Sequence, residues 1–293
     1  MTEFSNFMKQ PHDLMSLLSV SDVDDLNILV DYITDKGAGR LMLDGDTCKR
    51  LIACRDKGSY SDFDRMAVAN EICGFGGNTI ANTYRNVRSK IFDGFLDKIL
   101  PEADYVVDYD EVVRDVASHM KVNFNKSDDV LVIEDGLLKK ILRDSFEKMT
   151  PEERQAVLDE LGVTDLSLLG PTATAAMLVA GKMAGFATFK IALIVANAVA
   201  RSILGKGLSF ATNRLITKSI GAVLGPIGWV VTGLWTIADL ASPAYRVTVP
   251  CVVQIAYMRQ KALMNATTVE CKSCNVPNPL SSKFCASCGA GLK

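Results

Sequence analysis

The stretch SIGAVLGPIGWVVTGLWTIA, from Ser219 to Ala238, runs for twenty residues without a charge. Such a run has to be shielded from water, so it limits the fold more than any other feature. It is long enough to cross ~30 Å of hydrocarbon as one helix. Pro226 and Gly228 near its centre argue against a straight span, since an internal proline costs a helix ~3 kcal/mol. Trp229 and Trp235 also fall mid-run, away from the two interfaces where an aromatic belt sits. A helix–turn–helix hairpin bent at Gly225-Pro226-Ile227-Gly228 fits better. It can insert into a bilayer on demand or form the core of a soluble bundle. The membrane-associating hairpin is the leading expectation, with Gly225, Pro226, Gly228, Trp229 and Trp235 as its lipid-contacting residues.

The segment before it points the same way. From Thr172 to Arg201 only two glycines interrupt an apolar helical pattern. With Lys182 at zero and 100° per residue, Asn197 falls at 60°, Lys190 at 80° and Arg201 at 100°. The polar side chains share one narrow stripe, the reverse of a surface helix, so protein or lipid must nearly surround this one. Leu208 to Leu224 then carries Asn213, Arg214, Thr217 and Lys218 on one side, a basic amphipathic pattern suited to an anionic membrane surface. Net charge over the whole chain is −2, yet residues 1–170 hold 20 basic and 32 acidic side chains, and residues 171–238 hold six basic and no acidic ones. That asymmetry suits contact with anionic lipid or an acidic partner. It equally suits two halves that neutralise each other inside one bundle.

The front half reads as helices separated by turns. Ser21 with Asp24, Ser61 with Asp64, and Thr150-Pro151 with Glu153 are capping signatures. Gly74, Gly76 and Gly77 break a helix at CGFGGN, with Asn78 capping the next, while YVVDYDEVV allows a short strand. The glycine spacing fits neither a dinucleotide loop nor a P-loop. His12 and His119 have no acidic or nucleophilic companions in sequence, and acid pairs such as Asp24-Asp25 and Asp128-Asp129 read as solvated. Cys48, Cys54, Cys73 and Cys251 read as reduced core thiols. No catalytic set emerges, so the chain reads as a non-enzyme. The start has no secretory pattern, which places the protein in the cytoplasm, conditionally associated with the inner membrane.

The tail carries the sharpest motif. Cys271, Cys274, Cys285 and Cys288 form C-x2-C-x10-C-x2-C, two knuckles that close a tetrahedral sulfur shell around one structural Zn²⁺. Gly289 and Asn275 supply the turns after each pair. Four protein ligands leave no open position, and so short a segment needs its metal to fold. With three lysines and one aromatic it lacks a nucleic-acid footprint. A protein-docking ribbon is the better expectation.

GFGGNTIANTYR, ILRDSFEKMTPEERQAVL and, above all, SPAYRVTVPCVVQIAYMRQ resemble the bacterial YaaW family, which is grouped distantly with ubiquinol–cytochrome c chaperones. The resemblance covers roughly residues 12–264 and implies a helical fold with no catalytic residues. Gly76, Gly77, Asn78, Tyr245, Arg246 and Pro250 are its structural motif residues. Pro250 is placed to start the last helix, and Tyr245 and Arg246 to bring polar tips to an apolar junction. The whole reads as an all-α protein: an acidic helical domain (1–168), an apolar and cationic hairpin region (169–265) and a zinc ribbon (266–293). The leading function is non-enzymatic membrane association, with a bilayer-inserting effector as its extreme form. The alternative is a soluble assembly chaperone or adaptor with the hairpin buried. The expected partners are an anionic membrane or membrane protein and an unknown protein bound through the ribbon, with homo-oligomers allowed.

Overall fold

The structure is a computed structural model that describes residues 2–38, 45–91, 107–161, 186–208, 227, 228, 230, 244–274 and 276–292, with side chains for all of these except 2–5, 77–91 and 186. Among the described residues are ten helices: α1 (Thr2–Lys9), α2 (Leu14–Val20), α3 (Val23–Thr34), α4 (Gly45–Lys57), α5 (Asp62–Ile91), α6 (Tyr109–His119), α7 (Val130–Phe146), α8 (Pro151–Leu161), α9 (Phe186–Leu204) and α10 (Tyr245–Thr267). A two-stranded antiparallel hairpin follows, β1 (Thr268–Glu270) and β2 (Pro277–Pro279), with Val269 opposite Asn278. The chain is therefore all-α with a small cysteine-bearing appendage.

Helices α9 and α10 form the most extensively packed pair, and α10 also touches α2, α3, α5, α6 and α7. One apolar core runs through these elements, from Phe7 to Ala262. On α9, Phe189, Ile191, Leu193, Ile194, Val195 and Val199 are 1 % exposed or less. Each such side chain contributes about 1.5–3 kcal/mol on leaving water. The sequence demands that something surround this helix, and here that shield is protein. The stripe on α9 also finds polar partners. Lys190 reaches Glu160 at 3.4 Å, Asn197 accepts the Leu208 N–H at 2.9 Å, and Arg201 faces water. Lys182, the basic helix expected beyond Leu208 and the boundary expected at 168 lie outside the described residues.

Some acids of the front half meet cations from later in the chain. Lys206 meets Asp31 at 2.6 Å, Lys261 meets Asp22 and Asp25 at 2.6 and 2.8 Å, and Arg259 meets Glu134 at 2.8 Å. Asp25 is thus buried rather than solvated. Burial raises its pKa, and Lys261 offsets only part of that rise.

Several local expectations need correction. The glycines at CGFGGN do not break a helix: α5 runs through them for 30 residues, and Asn78 lies in its interior. The glycines serve a close crossing instead. A Cβ on Gly76 would lie 2.4 Å from Val112 Cγ2 on α6, whereas one on Gly74 would meet nothing within 4 Å. Gly76→Ala should therefore destabilise by about 1–3 kcal/mol through overpacking. Gly74→Ala should stabilise by up to ~1 kcal/mol through helix propensity. Urea melts of the two variants should move in opposite directions.

Tyr109 begins a helix rather than continuing a strand, because the Asp108 carboxylate accepts the Glu111 N–H at 3.1 Å. Ser21 ends α2, its hydroxyl donating to the Leu17 carbonyl at 2.7 Å, and α3 starts at Val23, its N-cap Asp22 making no side-chain capping bond. Pro250 sits inside α10, not at its start. It removes one backbone hydrogen bond, to the carbonyl of exposed Arg246, and packing on both sides of the break keeps the helix continuous.

Two other capping signatures form as read. Ser61 N–H donates to Asp64 at 2.8 Å, and Thr150 N–H donates to Glu153 at 2.8 Å.

Candidate metal centre

The ribbon grows directly from the end of α10. Pairing of β1 with β2 brings Cys271 to a turn where its N–H donates to the Val276 carbonyl at 3.0 Å. The second knuckle closes in the same way. Cys285 N–H donates to the Ala290 carbonyl at 2.8 Å, and Gly289 adopts φ +75°, which suits glycine. Asn275, expected in the matching role, lies outside the described residues.

The four Sγ atoms of Cys271, Cys274, Cys285 and Cys288 all lie within 4.8 Å of one another. Two of the pairs, Cys274 with Cys285 and Cys271 with Cys288, are 3.5 and 3.6 Å apart. A disulfide needs ~2.05 Å, so these are four free thiols. A tetrahedron with metal–sulfur bonds of ~2.3 Å has edges of about 3.8 Å. The set fits one tetrahedral thiophilic ion.

Backbone donors favour thiolate at Cys285 and Cys271. At Cys274 the Val276 N–H is outweighed by the neighbouring thiols of Cys288, Cys285 and Cys271, which push it up to about 12. The backbone N–H of Cys288, followed by that of Ser287, pulls the Cys285 thiol down to about 6. The N–H groups of Ser273 and Cys274 lower Cys271. Asn278 is a site residue that the sequence did not reveal. Only 2 % exposed, it donates to Cys285 Sγ at 3.5 Å and to the Val276 carbonyl at 2.6 Å, and it accepts the Ala286 N–H at 2.9 Å. It joins the first knuckle to the second and orients a ligand sulfur, as outer-shell groups do in metal sites. A polar residue between two prolines was the available signal, but spacing from the cysteines alone did not identify it.

Tyr245 does form a corner. Its hydroxyl donates to Asp115 at 3.1 Å, and its ring stacks on His119 with centroids 3.6 Å apart at 18°. Asp115, one turn before His119 on α6, bonds the phenol on which His119 stacks. Burial raises the Asp115 pKa and lowers that of His119. A stacked imidazole presents its face to the phenol rather than a ring nitrogen. The cluster therefore clamps α6 to the start of α10.

Gly228 is buried. A Cβ there would lie 3.1 Å from Ser202 Cβ on α9. Gly225, Pro226, Trp229 and Trp235 lie outside the described residues, and of Gly77 and Asn78 only the helical backbone is described.

Curated relatives are similar to this chain over part of its length. A UPF0174 protein of Helicobacter pylori is 35 % identical over 207 residues, which span 69 % of this chain and 90 % of the relative. The chain belongs to the UPF0174 family. A second UPF0174 protein from that species is 45 % identical over 154 residues, covering 52 % of this chain and 61 % of the relative. UPF0174 protein YaaW of Escherichia coli is 29 % identical over 204 residues, covering 69 % of this chain and 73 % of the relative. No family model matches the chain. No solved structure matches it either.

Proposed function

We propose that this UPF0174 protein is a non-enzymatic adaptor: a helical body carrying a zinc-stapled ribbon that docks on another protein. One observation carries the reading. The ribbon buries Cys271, Cys285 and Asn278 and leaves Leu280 and Phe284 54 % and 68 % exposed. Large apolar side chains held outward on a metal-fixed scaffold are what a docking surface requires. Zinc is the ion because four thiolates in a tetrahedral shell select it in a reducing cytoplasm.

The metal has its own test. Purified protein should hold one zinc per chain, and Cys285→Ser should lower that to less than a tenth while far-UV circular dichroism hardly changes. Stoichiometric zinc after the substitution would reject the four-cysteine site.

The apolar middle serves as core in this reading. Helix α9 is long and apolar enough to cross a membrane, but 72 % of its apolar window is buried within the protein. Its length and hydropathy favour a second reading, in which the middle of the chain associates conditionally with an anionic membrane or a membrane protein.

A photo-crosslinking residue at position 284, combined with fractionation of cells, separates the two. The adaptor reading expects soluble protein and a discrete crosslinked product that disappears in Cys285→Ser. Carbonate-resistant membrane protein with no such product would replace it with the membrane reading.

A further inference from the structure

We infer that Cys288 is a peroxide-reactive ligand, and that Cys271 closes a disulfide with it, so that a hydroperoxide empties the metal site and dismantles the ribbon. The inference rests on the four-cysteine site described above and assigns it a reaction.

The four ligands differ in access. Cys271 and Cys285 are 0 % and 4 % exposed. Cys288 is exposed and lies within an exposed run from Ala286 to Gly289, while Cys274 is intermediate. The Cys285 sulfur is also engaged by donors, Asn278 at 3.5 Å and the Ser287 N–H at 3.4 Å. A thiol that coordinates a metal is held as thiolate, the form that attacks peroxides. Among thiolates, oxidation selects those that are accessible and stand beside a resolving cysteine. Cys288 meets both conditions, with Cys271 Sγ 3.6 Å from its own sulfur.

The other four cysteines compete poorly. Cys48 and Cys251 are buried. Burial raises the thiol pKa of Cys54, and that of Cys73 to about 11, so both stay protonated at neutral pH.

The reaction balances with hydrogen peroxide as the oxidant. The Cys288 thiolate bonds one peroxide oxygen, the O–O bond breaks and hydroxide leaves, which gives a sulfenic acid. The Cys271 thiolate then attacks that sulfur, the S–S bond forms as the S–O bond breaks, and a second hydroxide leaves. Each sulfur gives up one electron, and the peroxide takes both. The two sulfurs close from 3.6 Å to the ~2.05 Å of a disulfide. Two ligands are thereby lost, and a ribbon that needs its metal to fold comes apart. The outward face at Leu280 and Phe284 therefore exists only in the reduced, loaded protein.

The test uses purified, zinc-loaded full-length protein and limiting hydrogen peroxide. A chromogenic chelator follows zinc release, dimedone traps sulfenic acid, and the disulfides are mapped after tryptic digestion. Cleavage after Lys272 and Lys283 puts Cys271 and Cys274 on separate peptides and Cys285 with Cys288 on a third. The expected result is zinc release in step with a Cys271–Cys288 disulfide, dimedone on Cys288, and far-UV circular dichroism that hardly changes. A thiol reductant with added zinc should restore the site. Cys288→His keeps a side chain that zinc accepts but removes the reactive sulfur, and should slow release at least about tenfold. Cys274→His should release zinc at the parent rate.

A first disulfide that lacks Cys288, dimedone on another cysteine, or oxidation of Cys54 or Cys73 while zinc is retained would overturn the inference. Mapping on the parent decides this even where a histidine variant does not load. Zinc content before peroxide is added tests the four-cysteine site separately: a parent without zinc rejects that site, whereas a loaded parent that peroxide leaves intact rejects only the reaction.

Discussion

Arg259→Leu should destabilise the protein by about 3–5 kcal/mol, the cost of leaving a buried carboxylate without its counter-ion. Arg259 is 0 % exposed and Glu134 1 %. The guanidinium grips Glu134 through two bonds, at 2.8 and 3.1 Å, and donates to the Pro11 carbonyl as well. Tyr109 donates to the same carboxylate at 2.7 Å. This cluster ties α10 to α6, to α7 and to the turn after α1. Removing the arginine strands Glu134 in the core and leaves the Pro11 carbonyl without this donor.

Leucine at both positions 134 and 259 should recover most of the loss, because a well-packed apolar pair replaces a buried ion pair at little or no net cost. The remaining deficit should come from the Tyr109 hydroxyl and shrink further with Tyr109→Phe. Urea unfolding of the single, double and triple variants measures each step. If Arg259→Leu melts within 1 kcal/mol of the parent, the buried network is not what fixes α10 in place.

Gly228→Asp is the second large effect, and it discriminates between the functional readings. At this buried glycine a new Cβ would stand 3.1 and 3.2 Å from Ser202 Cβ and Oγ, with the Ala198 carbonyl at 3.9 Å. A carboxylate added there is pressed against α9 with no cation among these contacts. The expected loss is several kcal/mol, so folded protein should disappear before any change in partitioning. If the segment instead worked as a lipid-inserted tip, the charge would cost ~2.5–3.5 kcal/mol at membrane depth. It would then abolish liposome flotation about a hundredfold while the soluble fold survived. Gly45→Asp is the control, since nothing lies within 4 Å of that glycine. It should alter neither melting nor flotation.

Much of this molecule is legible in its sequence because the governing physics is local. Cysteine spacing determines which four thiols can share one ion, and the structure brings those four together. Capping pairs such as Ser61 with Asp64 and Thr150 with Glu153 act within one helical turn, so their function follows from proximity along the chain. The all-α class follows from periodicity. The polar stripe on α9 shows that the helix must be shielded, because a hydrophobic cylinder tolerates no other environment.

Only the tertiary structure shows α9 packed against other helices, because protein and lipid are equally apolar to an isolated helix. It also decided the fate of the charges. Arg259 and Glu134 are 125 residues apart, and neither has a local feature that identifies its partner. Asp25 looks like a surface acid until Lys261 is brought to it. Gly76 reads as a helix breaker from propensity, but a glycine inside a helix is stable where another helix must pass within van der Waals contact, as Val112 does. Asn278 orients a ligand sulfur only because the fold sets both knuckles against it. Among the helices the deciding interaction joins residues far apart in the chain, so its energy enters only once they have packed, while Asn278 acts over seven residues but needs the ribbon's turns in place.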